Sequence, residues 1–493
     1  MSSPTIVMIV VSIYLLIVLV TGIAAGMKRE YSISEYVAAS GSLNFFVMYF
    51  LMGGAIFSAF AFLGGPGWAF SSGAASFYIL AYCAMGLLPW YIWGPRAYKL
   101  GKRFKYLTQA ELVGDRFESK LLSAIMAIVS ILAFIQYIAL QLKGMGYVIE
   151  VTTSGAVPFW AGALIGYLVI LVYVFLGGVR GVAWTNVLQG MFMLILAWVL
   201  AIYLPYKFHG GIGPMFQNID AIDPTHLVVG KPQMGWAAFS SAILVSVLGF
   251  TMWPHLFMKA YTSDSERTLK QTIAWYPTFA IFMVPVLFVG FAGISIIDPK
   301  TLAAPDQILP TMLMQIGLSP VLLGVVAAGT LAAAMSSSDT ITHAAASVYT
   351  LDFHRRVISP NITDRQAMIV TRIAVVVFCG IAYYIAIFGA QSLVALLLGA
   401  YGSIVQFLPL VAAAFFWPRA TKYGAIAGLI AGVLVNYYFQ LVMPSPFEIH
   451  AGIWGLLVNI IVMVIISYVT APHDLKHARK FVEESVRPLE NEA

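Results

Sequence analysis

An all-α polytopic membrane protein is the fold class this sequence predicts, and two observations carry the prediction. Of its 493 residues, 60% are hydrophobic and only 10% are charged, whereas a soluble domain charges roughly a quarter of its positions. Apolar runs long enough to cross a hydrocarbon layer about 30 Å thick as a helix recur along nearly the whole chain. The first observation excludes an ordinary soluble enzyme. A third, the placement of basic residues, sets orientation. With the N-terminus outside, all but Lys143, Lys207, Lys231 and Lys300 of the 27 Lys and Arg residues fall on the inner side, as the positive-inside rule requires. The net charge of +6 is thus read as a membrane signature, with the lipid bilayer as partner and no nucleic acid.

Apolar runs set against polar breaks give about thirteen spans. They are α1 over 4–26, α2 over 43–65, α3 over 73–95, α4 over 121–145, α5 over 157–177, α6 over 183–205 and α7 over 237–258. Then follow α8 over 273–296, α9 over 319–350, α10 over 366–388, α11 over 393–417, α12 over 424–442 and α13 over 451–471. The α1 run lacks a positive leading region, is long for a signal peptide and is followed by Lys28 and Arg29, so it reads as a retained span. An odd number of spans puts the C-terminus inside, with His473 to Ala493 as a short charged helix or a disordered end. Between α3 and α4, Thr108 followed by Glu111 reads as a capping box that starts a surface helix. Between α5 and α6, Gly177-Gly178-Val179-Arg180-Gly181 reads as a tight inner turn, and Thr185 and Asn186 begin the next helix with polar groups. Cys83 and Cys379 lie in apolar segments with no metal-ligand spacing.

The chemistry-bearing residues concentrate in α2 and α9. In α2, Met52-Gly53-Gly54-Ala55-Ile56-Phe57-Ser58 precedes Gly64-Gly65-Pro66-Gly67. Such a composition either breaks a helix and frees carbonyls for a cation or lets helices pack closely. In α9, Ala333, Ser336, Ser337 and Thr340 follow helical spacing, so a carbonyl and three hydroxyls line one stripe, the oxygen set that a small hard cation wants. Asp339 is a carboxylate within a span, which is rare unless it meets an ion, a cavity or a partner. His343, one turn on, forms with it either a proton-sensitive pair or plain interface chemistry. Polar and aromatic groups within spans supply candidate solute contacts at Phe60, Gln136, Tyr137, Gln141, Trp253, His255, Tyr401 and Gln406.

Gly-Gly-Val-Arg-Gly-Val-Ala-Trp-Thr-Asn-Val-Leu-Gln-Gly from Gly177, Ala-Ala-Ala-Met-Ser-Ser-Ser-Asp-Thr from Ala332 and Phe-Phe-Trp-Pro-Arg-Ala-Thr-Lys-Tyr-Gly from Phe415 resemble the signatures of the solute:sodium symporter family. The resemblance implies a LeuT-type core of two inverted five-helix repeats. Residues 1–42 would hold the extra first helix, 43–206 the first repeat (α2–α6), 207–417 the second (α7–α11), 418–472 two peripheral helices and 473–493 an inner tail. It implies a sodium site, sodium being the transported coupling ion, made of the carbonyls of Gly54, Phe57 and Ala333 and the hydroxyls of Ser336 and Ser337. Some members hold a second sodium through an aspartate where this chain has Asn186. The matching α9 positions, Ser336, Asp339 and Thr340, keep a carboxylate on the other helix, so Asn186, Asp339, Thr340 and His343 are the candidates for a second cation or proton site. One sodium per solute is the expectation. Gly64-Gly65-Pro66-Gly67 and Pro254-His255 look most like the pantothenate, acetate and monocarboxylate branch, which makes a small carboxylate the expected solute. No arginine stands in mid-membrane to bind it, so helix N-termini, amides and hydroxyls would have to.

The expected function is therefore sodium-coupled uptake across a bacterial inner membrane by alternating access, with no covalent step. A proton-coupled carrier using Asp339 and His343 is the nearest alternative, and a transporter-like membrane sensor is an alternative of another class. The sequence shows no nucleophile–base pair, His-rich metal cluster or nucleotide loop of an enzyme.

Overall fold

The computed structural model describes residues 2–26, 32–389, 392–472 and 474–489. Lys28, Arg29, His473 and residues 490–493 lie outside them. No sheet forms among the described residues; one isolated bridge pairs Leu43 with Ser263. Nine helices there are long and apolar enough to cross a membrane, or eleven when each of two bent pairs is taken as one span.

α1 is the helix Ser3–Gly26. α2 is broken: Phe45–Ile56 ends at Phe57, whose ψ of 92° leaves the helical region, and the chain resumes with a π-helical turn Phe60–Gly64 and the helix Gly65–Ser72. Phe45–Ile56 is inclined by 52° to the run Phe60–Met85. The break thus falls at Phe57 and Ser58, whereas Gly64-Gly65-Pro66-Gly67 stays helical, with Pro66 in the first turn of the helix that follows the π-helical turn. α2 also runs past its expected end at 65. It reverses at Gly73, where φ is 56°, and the rings of Trp68 and Tyr78 then meet at 4.6 Å, though a straight helix would part them by roughly 15 Å. α3 continues as Tyr78–Met85 and Trp90–Phe104, and the Thr108–Glu111 capping box forms.

α4 extends over Lys120–Thr152. α5 and α6 form one helical run, Phe159–His209, interrupted at Gly178 with φ 54° and ψ −154°. Tyr173 before the interruption and Thr185 after it bond the same oxygen of Asp339; a straight helix would hold them roughly 18 Å apart, so the chain turns back at Gly178. Arg180 pairs with Glu35 and donates to the Ala39 carbonyl, tying this turn to the short helix Ile33–Ala38. Gly22 and Gly26 of α1 let its backbone lie against Tyr173 and Gly177; a Cβ on Gly26 would come 2.3 Å from the Gly177 Cα.

α7 is also broken, which the sequence reading does not anticipate. Trp236–Phe250 gives way at Thr251–Trp253 to the short segments Pro254–Phe257 and Lys259–Thr262, inclined by 44°. Pro254 holds Trp253 at φ −56° and ψ 121°, an extended conformation. α8 comprises Glu266–Ala280 and Met283–Gly293, starting earlier than expected because Ser265 caps it. α9, Pro320–Val348 with a π-helical end Tyr349–Ile358, is the most enclosed of the long helices; its Ala, Gly, Ser and Thr residues let neighbours approach closely. α10 is Asp364–Phe388, α11 Leu393–Ile404 and Leu408–Phe416, α12 Lys422–Leu441 and α13 Ala451–Val469. Within the tail, Leu475–Val486 is a helix. Arg103 donates to the Arg487 and Pro488 carbonyls, Lys99 to that of Val486 and Arg96 to the Ser485 hydroxyl, so three cations of α3 meet the carbonyl end of the helix dipole.

Candidate ion and solute site

The break in α2 leaves the Gly54 carbonyl free for side chains of α9. Ser336 Oγ donates to it at 3.0 Å and Ser337 Oγ at 3.0 Å, and Ser336 Oγ also lies 3.0 Å from the Ala333 carbonyl. Gly54, Ala333, Ser336 and Ser337 therefore come together, all of them buried. Phe57 closes the first half of α2 beside them, its ring 5.0 Å from that of Phe279. Ser58 and Gln141 hold the unwound strand: Phe60 N donates to Ser58 Oγ at 3.2 Å and Ala59 N to Gln141 Oε1 at 2.8 Å.

One turn along α9, Asp339 is fully enclosed. Its oxygens accept from Tyr173 at 2.8 Å, Thr185 at 3.1 Å, Asn186 at 3.2 Å and Thr340 at 3.2 Å. Asn186 Nδ2 also donates to the Val182 carbonyl, and this fixes the amide with its Oδ1 toward α2. There a Cβ on Gly54 would fall 2.1 Å from that oxygen, which is buried without a hydrogen-bond partner. Asn186 thus touches both groups of residues. His343 goes elsewhere: its Nε2 is 2.8 Å from the Tyr36 carbonyl and its ring packs on Tyr36. The structure does not bring Asp339 and His343 into a shared bond, because Tyr173, Thr185 and Asn186 meet the carboxylate and the Tyr36 carbonyl meets the imidazole.

The aromatic candidates gather at the break in α7. The Trp253 ring lies 5.2 Å from Tyr137, 5.6 Å from Tyr401 and 5.4 Å from His255. The Tyr137 hydroxyl lies beside Ser58 and Ser337, joining this cluster to the α2–α9 contact. Phe60 is buried just past the α2 break. Two amides stand apart. Gln406 donates to the Gly402 and Gly452 carbonyls and accepts from Asn459, so it joins α11 to α13; Gln136 is half-buried beside Gly399 of α11. Neither belongs to the cluster at the breaks, because packing between helices already uses or surrounds them. The sequence reading misses Tyr173, the closest partner of Asp339, whose only signal is a tyrosine in an apolar run that needs a place for its hydroxyl. It also assigns Lys259 to an inner loop, although Lys259 is buried within the second half of α7.

The family model described as "Sodium:solute symporter family" matches residues 36–432. An uncharacterized symporter of Bacillus subtilis, YhjB, is 30% identical over 92% of this chain and 95% of its own length. A monocarboxylate transport permease protein of Rhizobium johnstonii is 23% identical over 92% of this chain and 95% of its own. A solved structure of a Na+-coupled sialic acid symporter, in a substrate-bound outward-open state, superposes with a TM-score of 0.80 at 20% identity, covering 95% of this chain and 98% of that one. This likeness is one of fold.

Proposed function

The chain belongs to the sodium:solute symporter family, and from this premise we propose that it takes up a small organic solute, a monocarboxylate, together with one sodium ion. The observation that carries the reading is the Gly54 carbonyl, freed by the break in α2 and met by two hydroxyls of α9. A hydroxyl that donates to a carbonyl can rotate and turn a lone pair to a cation instead. Sodium entering here would find the carbonyls of Gly54, Phe57 and Ala333 with Ser336 and Ser337, all neutral oxygens suited to a hard ion. The proton-coupled alternative draws no support from a bond between Asp339 and His343.

In this reading thirteen crossings place the N-terminus outside and the C-terminus inside a bacterial inner membrane. α2–α6 and α7–α11 form the two inverted repeats, and a broken helix opening each one supports that division. Sodium bridging α2 to α9 favours the form that binds solute and is released inside, where its concentration is low. The membrane potential adds about 2.3 kcal/mol per charge per 100 mV.

The test is uptake into liposomes of labelled acetate, lactate, pyruvate, pantothenate and proline under sodium or proton gradients imposed separately. Sodium alone is expected to drive uptake of a carboxylate; uptake driven only by protons would overturn the reading. Ser336→Ala and Ser337→Ala are each expected to raise the half-activating sodium concentration about tenfold, the equivalent of one lost contact of ~1.4 kcal/mol, with little change in melting temperature. Wild-type sodium activation in both variants would remove these residues from the ion site.

A further inference from the structure

Polar groups buried around the second break are unevenly matched. Asp339 has its four donors and needs no further partner. Lys259, one turn after His255 in the inner half of α7, is only 4% exposed. No acceptor among the described residues bonds its ammonium. Its charged or titratable neighbours are Asp339, His255 and His343, and the only anion of the three is already satisfied. A buried ammonium in that position is costly to keep.

The surplus of donors continues toward the break. Gln141 Nε2 and Trp253 Nε1 are buried without a partner at hydrogen-bond geometry, the latter facing the Tyr401 hydroxyl. Gln141 spends its oxygen on the Ala59 N–H, which leaves only its N–H groups to offer. Buried donors lacking acceptors mark a place that a ligand completes with acceptors. A carboxylate brings up to four such lone-pair positions and one negative charge, which suits both an ammonium and unpartnered N–H groups.

We propose that the carboxylate of the solute, as it passes the break in α7, meets the N–H groups of Trp253 and Gln141 and then Lys259 in the inner half of that helix. The proposal rests on the uptake reading above and names the group recognised. It supplies the cation that the basic-residue pattern assigns to a loop. Lys259 is the determinant of acid over neutral solute, and sodium coupling stays with α2 and α9.

The experiment compares, in liposomes with a sodium gradient, the best-transported acid of the panel with its primary amide. The unsubstituted protein is expected to prefer the acid. Lys259→Gln is expected to collapse that preference at least about tenfold, the scale of one hydrogen bond to a charged group, with sodium half-activation unchanged; Lys259→Arg keeps the preference. An unchanged ratio in Lys259→Gln would overturn the proposal and leave the symport reading standing, as would a shift in sodium activation alone. Absence of carboxylate uptake by the unsubstituted protein would overturn both. If Lys259→Gln fails to assemble, Lys259→Met carries the test, since it keeps an unbranched chain of similar length and removes the charge and the N–H donors. It is expected to lose the preference for the acid as Lys259→Gln does, and an unchanged acid-to-amide ratio would refute the proposal.

Discussion

Asp339 shows what it takes to keep a costly side chain inside a span. A carboxylate withdrawn from water persists only when several donors reach it, and these come from both arms of the Gly178 turn. Asp339→Asn sets an NH2 group against at least one of those donors. It is expected to lower the melting temperature by an amount corresponding to about 1.5–3 kcal/mol, the worth of a hydrogen bond to a charged group. Because Asn186 touches Gly54 as well, sodium activation should shift with it; unchanged melting and unchanged activation would show that Asp339 has no such role. At this scale the sequence is legible where chemistry repeats at helical spacing, as with Ala333, Ser336 and Ser337. It is silent where a partner comes from elsewhere in the chain. Nothing local announces that the Tyr173 hydroxyl ends on Asp339, or that Lys259, counted among loop cations, is buried.

Helix breaks and turns obey a different logic. Gly178 adopts φ 54° and ψ −154°, a region open essentially to glycine alone, and a Cβ there would come 2.8 Å from the Tyr36 ring. Gly178→Ala is therefore expected to cost about 1–3 kcal/mol in backbone strain, with a further loss from that contact. The measurement is the yield and melting temperature of detergent-solubilised protein, and a variant as stable as the parent would refute the assignment of the turn. This turn is legible from its glycines and Arg180, and the capping box at Thr108 from two residues. The position of the α2 break is not, because it is set by which side chains satisfy the freed backbone groups: Gln141 takes the Ala59 N–H, and Ser336 and Ser337 take the Gly54 carbonyl. Pro254 marks the α7 break in the sequence, but a proline near the end of an apolar run reads equally well as the end of a span.

For the whole molecule, the distribution of basic residues and the number of crossings stand or fall together. The two cysteines, Cys83 and Cys379, are both buried, which leaves a quiet background for labelling. In intact cells a membrane-impermeant maleimide is expected to modify Val228→Cys, in the exposed stretch before α7, and to spare Glu483→Cys on the tail helix. The reverse pattern would invert the topology. The paired hydroxyl bonds on the Gly54 carbonyl bear on how such a carrier resets. A symporter completes its cycle only if it also makes the return journey unloaded. Ser336 and Ser337 join α9 to the Gly54 carbonyl of α2 by hydrogen bonds alone, so on the reading proposed above the two helices can stay joined on the return journey without an ion between them.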